Sequence, residues 1–134
     1  MAAPFTSAAK NKLLDHVTGR VRWEPNLRVA LGIDDAGTVT EISGNGYARA
    51  NPTGAFGAAS GGAASITELD VLWPVADPAS WGIPDRVAYF DTDGTQVTAW
   101  EPVTIEEVAA GVRARIPAAG IAGAFASITL TDPA

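Results

Sequence analysis

Three pairs of neighbouring carboxylates, one histidine and four tryptophans are the residues here whose types could do chemistry. Asp34/Asp35, Asp91/Asp93 and Glu106/Glu107 bring acidic groups close enough for acid–base work or for a hard cation. The first two pairs lie in turn signals, where an aspartate side chain bonds nearby backbone amides, and that role needs no substrate. Asp91-Thr92-Asp93-Gly94 resembles a fragment of a calcium loop, but the later ligands, including the Glu at the twelfth position, are missing. Any histidine-based triad would have to use His16, which sits beside Asp15 near a helix end and reads as a surface residue. No G-x-S-x-G and no cysteine offer another nucleophile. Gly44-Asn45-Gly46 opens like a dinucleotide fingerprint, but Arg49 stands where glycine or alanine is needed and no helix follows, so it reads as a tight reversal. The sequence therefore points to no catalytic residue, no metal site and no cofactor.

The tryptophans are Trp23, Trp73, Trp81 and Trp100. Such residues can line a carbohydrate groove, but in a domain poor in other large side chains they supply core or subunit contacts. With Phe56 they are the candidate interface residues.

The elements that would position these residues follow from patterning. Residues 6–17 form an amphipathic helix, about 6–18 with its cap: Thr6 or Ser7 can cap it, Ala9, Leu13, Leu14 and Val17 share a face, and Gly19 can end it. Residues 27–33 alternate Leu27, Val29, Leu31 and Ile33 against Arg28, Ala30 and Gly32, which predicts a half-buried strand. The segment 34–37 is a turn, and residues 38–42 form a second strand. Residues 47–50 begin another extended piece, and residues 66–75 read as a strand with Glu68 and Asp70 facing water. Residues 86–100 form the clearest hairpin, turning at Asp93-Gly94 with Gln96, Thr98 and Trp100 alternating against Val97 and Ala99. Residues 111–116 and 124–130 suggest a last strand pair, and residues 104–110 a weaker second helix. Between them, residues 50–67 carry no charge and are mostly Ala, Gly and Ser, predicting a long loop, about 50–65, or closely packed small-residue strands. Together these give a mainly β protein, an antiparallel β-sandwich over about 20–132 with one N-terminal α-helix.

The chain of 134 residues suits one domain, 1–134. Of its 47% hydrophobic residues, 26 are alanine, so few large side chains build the core. A net charge of −6 argues against nucleic acid and against a polybasic membrane surface as partners. Absence of cysteine excludes disulfides and thiolate zinc sites. No apolar run early in the chain reads as a secretory signal, and the longest uncharged stretch, 116–131, is too short to span a bilayer.

A series of segments resembles a known family. It runs Lys12-Leu13-Leu14-Asp15-His16-Val17, Leu27-Arg28-Val29-Ala30-Leu31, Thr40-Glu41-Ile42-Ser43-Gly44-Asn45-Gly46-Tyr47-Ala48-Arg49, Trp81-Gly82, Ala88-Tyr89-Phe90-Asp91, Trp100, Gly111 and Arg115-Ile116-Pro117-Ala118. In that order they resemble small virion structural proteins of tailed bacteriophages, described as tail fibre or minor structural proteins. The resemblance implies a non-catalytic virion protein assembled in the bacterial host cytoplasm. It implies a homo-oligomer, taken as a trimer, with the major capsid protein or tail and neck proteins as partners. The short chain without a repeat leads to a capsid decoration or minor head protein that stabilises the shell. The alternative is a tail-associated fibre or host-adsorption protein, with a small ligand-binding domain or enzyme as a remote third. The charge-poor segment 50–67 is a further candidate for virion contacts.

Overall fold

Thr6 opens the helix as its type suggests: its hydroxyl oxygen accepts the Ala9 amide at 3.2 Å and α1 (Ser7–Val17) follows. Gly19, at φ 80°, lies just beyond its end. This is a computed structural model, and it describes residues 3–59, 63–66, 68–105, 107–116 and 127–129.

The strands are β1 (Ala3–Pro4), β2 (Arg28–Asp35), β3 (Thr38–Glu41), β4 (Ala63–Ser65), β5 (Val71–Val75), β6 (Arg86–Phe90), β7 (Glu101–Pro102), β8 (Arg113–Ile116) and β9 (Ser127–Thr129). They form a four-stranded sheet in the order β3-β2-β6-β7, a two-stranded sheet β5-β8, and a small sheet β1-β9-β4. All of these pairs are antiparallel except β1–β9, which is parallel. The inward residues Val71, Trp73, Ala114 and Ile116 of β5–β8 share one core with Val29, Leu31, Val87 and Tyr89 of β2–β6. The predicted mainly β sandwich with one N-terminal helix is thus what forms.

The β2–β3 hairpin turns at Ala36 (φ 51°) and Gly37 (φ 92°), with Asp35 opposite Thr38. Beyond β3 the same edge of β2 is completed piecemeal. Ile42 N donates to Leu31 O at 3.0 Å, and Val29 and Ala50 exchange two bonds of 2.9 Å. Between them the Leu31 amide donates to the Tyr47 hydroxyl at 3.1 Å, a side chain standing in for a strand.

Several expectations change. Strand β2 is not half-buried, because Val29, Ala30, Leu31 and Gly32 are all inside. The second face is covered by Phe90 and Trp100 over Ala30 and Ala88. Gly32 is required by that cover: an added Cβ would lie 2.7 Å from Val39 Cγ1 and 3.0 Å from Trp100 Cζ3. Gly32→Ala is therefore expected to lower stability by about 1–3 kcal/mol, as overpacking does, read as a shift in the urea unfolding midpoint.

The return leg of the 86–100 hairpin does not alternate. Tyr89 O accepts from both Val97 N (2.7 Å) and Thr98 N (3.3 Å), and Tyr89 N donates to Thr98 Oγ1 (3.1 Å). Two residues thus oppose one, as in a bulge, and consecutive Val97 and Thr98 are both buried. The segments 111–116 and 124–130 do not pair with each other: β8 pairs with β5, and β9 pairs with β4 and β1. Within 124–130 only residues 127–129 are described. The second helix over 104–110 does not form among the described residues. Val103 N donates to Asp85 O and Val108 N to Gly82 O, which commits their amides to the segment before β6 rather than to a helical turn. Finally, α1 does not bury the whole predicted face. Ala9 is buried and Leu13 half-buried, but Leu14 and Val17 are 60% and 71% exposed.

Candidate functional site

Asp91 is the centre of the most concentrated set of polar contacts. Strand β6 ends one residue before it, and the Asp91-Thr92-Asp93-Gly94 turn curls back over its side chain. Oδ1 accepts the amides of Asp93 (3.0 Å) and Thr95 (2.8 Å). Oδ2 accepts Lys12 Nζ (2.7 Å) and the Trp23 indole N–H (3.2 Å). The carboxylate is 2% exposed. Burial alone would raise its pKa, but the Lys12 ammonium, the Thr95 amide and the Trp23 indole hold it below the usual carboxylate range. Lys12 is pushed up in turn, first by its bond to Asp91. The ammonium also lies 3.5 Å from Asp93 Oδ2. The calcium-like fragment thus receives its positive charge from this chain's own lysine, and its work is to fasten α1 to the sheet.

The other carboxylate pairs are dispersed. Asp34 Oδ2 faces Arg86 Nη2 at 3.5 Å while Asp35 is exposed in the β2–β3 turn. Glu107 Oε2 accepts the half-buried Ser80 hydroxyl at 3.2 Å, and Glu106 lies outside the described residues. Among the described residues no group of three His, Cys, Asp or Glu is placed to hold a metal ion. His16 Nδ1 accepts the Trp23 amide at 3.1 Å, so the histidine is taken up by the chain that returns from α1.

The five aromatic candidates separate. Trp73 is core, 1% exposed, with its indole donating to Val29 O at 3.1 Å. Trp81 is also core: it meets Tyr47 edge-on at 5.3 Å and donates to Asn45 O at 2.8 Å. Neither offers its ring to a partner of the folded chain, because alanine-rich strands leave space that only large side chains fill. Trp100 is half-buried on the second face, 5.9 Å from Phe90. Phe56 is half-buried against Tyr89 at 5.8 Å and lines a shallow groove with Leu27, Pro52, Thr53 and Gly54. Trp23 is half-buried and lines a second groove beside Lys12. The structure does not bring the five into one patch.

One cluster has no counterpart in the sequence reading. Glu41 receives Arg49 through two bonds of 2.8 Å, and its Oε2 also accepts the Tyr47 hydroxyl at 2.7 Å. Arg49 Cζ lies 3.8 Å over the Phe90 ring. Burial raises the Glu41 carboxyl, but Arg49 and Tyr47 outweigh it and hold the group below its ordinary value. Tyr47 is held far above its ordinary value, first by burial and then by Glu41. Glu41 lies before the Gly44-Asn45-Gly46 reversal and Tyr47 and Arg49 after it; that reversal, with φ of 75°, 52° and 78°, brings the three together. The cluster is a brace: it closes the β2 edge and covers Phe90, and presents no open acid or base.

Leu14 and Val17 near the helix end and Val21 beyond it are exposed apolar side chains, and Val21 lines the Trp23 groove. The family described as Podophage GP4 fiber I protein gp80 matches residues 4–123. No curated protein and no solved structure matches.

Proposed function

Since the chain belongs to the Podophage GP4 fiber I protein gp80 family, and so is a phage structural protein, we propose that it is a tail-associated fibre protein of the virion. The family match over residues 4–123 is the observation that carries this reading ahead of capsid decoration. The site chemistry is consistent with it. Asp91 and Glu41, the two most heavily bonded carboxylates, are spent on fastening the fold, so the protein works by contact and not by catalysis. Its partners are other tail or neck proteins and further copies of itself, with a trimer as the expected unit.

The test is the copy number in purified virions, measured by mass spectrometry against the major capsid protein. A few to a few dozen copies, in a multiple of three, support the tail reading. Hundreds of copies would replace it with a decoration protein on the head lattice. Absence from virions would overturn both.

A further inference from the structure

Helix α1 turns a face to solvent that the described residues leave uncovered. Lys10, Leu14 and Val17 follow one another at steps of four and three, the spacing that places residues on one side of a helix. All three are exposed, Leu14 by 60% and Val17 by 71%. Lys10 and Arg20 are exposed too, and their side chains make no ion pair among the described residues. The helix is held at the C-terminal end of β6, where Lys12 and Trp23 bond Asp91.

The opposite end of β6 carries the opposite charge. Asp34 and Asp35 end β2 there, Asp85 immediately precedes β6, and Glu101 of β7 lies opposite Val87. Arg86 serves Asp34 at 3.5 Å and Asp85 at 3.7 Å. Asp35 and Glu101 make no ion pair among the described residues. Next to this acidic end Ile83 is an apolar side chain 59% exposed, two residues before Asp85.

We propose that the exposed face of α1 docks on the Ile83 end of a second copy, so that copies join head to tail. The choice of occupant follows from charge. A second α1 would set Lys10 and Arg20 against their own kind, and like charges across a contact repel. A neutral apolar partner would strip water from both cations without pairing them. The Ile83 end supplies what the helix face needs, an apolar side chain for Leu14 and Val17 and the unpaired carboxylates Asp35 and Glu101 for Lys10 and Arg20. The two surfaces lie at opposite ends of one strand, so the contact is heterologous, and it closes into a ring where the rotation between copies allows. Each patch is small, which makes the single contact weak, with Kd on the order of 10–100 µM. Ring closure and the fixed spacing of copies on a particle raise the effective affinity. The proposal rests on the reading that further copies of the chain are among its partners; it does not depend on the tail location.

The experiment is sedimentation equilibrium of the full chain up to about 1 mM, ten times the upper Kd expected. The parent chain should associate, and the association should weaken at least fivefold as sodium chloride rises from about 0.05 to 0.5 M. Two double charge reversals then test the contact from its two sides. Lys10→Glu with Arg20→Glu, and separately Asp35→Lys with Glu101→Lys, should each raise Kd about tenfold or more. All four changes on one chain should bring Kd back to within about threefold of the parent, because the pairs are restored with their signs exchanged. Urea unfolding midpoints close to that of the parent show that the reversals leave the fold intact, since none of the four side chains has an ion-pair partner in it. Association that ignores salt, or that survives either reversal, would overturn this contact while leaving self-assembly by another surface in place. A four-change chain that folds but stays apart would overturn it as well. A parent chain that remains monomeric throughout would remove both the contact and self-assembly. The virion copy number judges the tail reading separately from all of these.

Discussion

Asp91→Ala lowers the unfolding free energy by about 3 kcal/mol and frees α1 from the sheet. The size follows from what the carboxylate holds: the two turn amides of Asp93 and Thr95, the Trp23 indole and the Lys12 ammonium all lose their acceptor. A buried donor left without a partner costs about 1–3 kcal/mol, and the groups nearer the surface recover part of that by binding water. Asp93→Ala is the control. Its side chain is 78% exposed and 3.5 Å from Lys12, so the change stays within about 0.5 kcal/mol. Urea unfolding followed by circular dichroism reads both, and an Asp91→Ala loss no larger than the control would refute the fastening role. The same carboxylate sets an acid limit. Its pKa is lowered in the fold, so its contribution is complete above the unfolded carboxylate value of about 4 and is lost as pH falls through the folded value. Glu41, lowered as well, acts in the same direction. The urea midpoint should therefore drop below about pH 4, and less steeply in Asp91→Asn.

Trp73→Ala is expected to cost about 3–5 kcal/mol, the range for emptying a buried aromatic site. Trp73 reaches from β5 across the core to the backbone of β2, so its loss opens a cavity between the two sheets. Trp73→Phe should cost far less, about 1–2 kcal/mol. The Val29 carbonyl that the indole bonds also accepts the Ala50 amide at 2.9 Å, and so keeps a partner when the indole N–H is gone. The pair of variants separates volume from hydrogen bonding, and equal costs would show that the bond and not the packing matters at this position. Neither variant touches the Trp23 groove.

What the sequence determined by itself is what neighbouring residues settle between them. Thr6 and Gly19 bound the helix because cap and left-handed conformations are properties of single residues. The β2–β3 turn and the Gly44-Asn45-Gly46 reversal are legible for the same reason, and alternation gave the mainly β class. The family resemblance was also carried by the order of short segments along the chain. The tertiary structure decided whatever depends on residues far apart. Alternation cannot say which strand lies beside which, so the partners of β8 and β9 were not readable. Nor can it reveal cover on a second face, which is why Ala30 and Gly32 looked solvent-facing until Trp100 was seen above them. The Val97–Thr98 bulge arises because Tyr89 supplies the bonds that break the alternation. Among the tryptophans, side-chain type is identical and only depth differs, and depth is set by the packing of sheets. Lys12 and Asp91 are 79 positions apart, and Glu41, Tyr47 and Arg49 meet only because a reversal folds them together. A charge pair or a groove is a relation between distant groups, and only the folded backbone fixes the distance on which its energy depends.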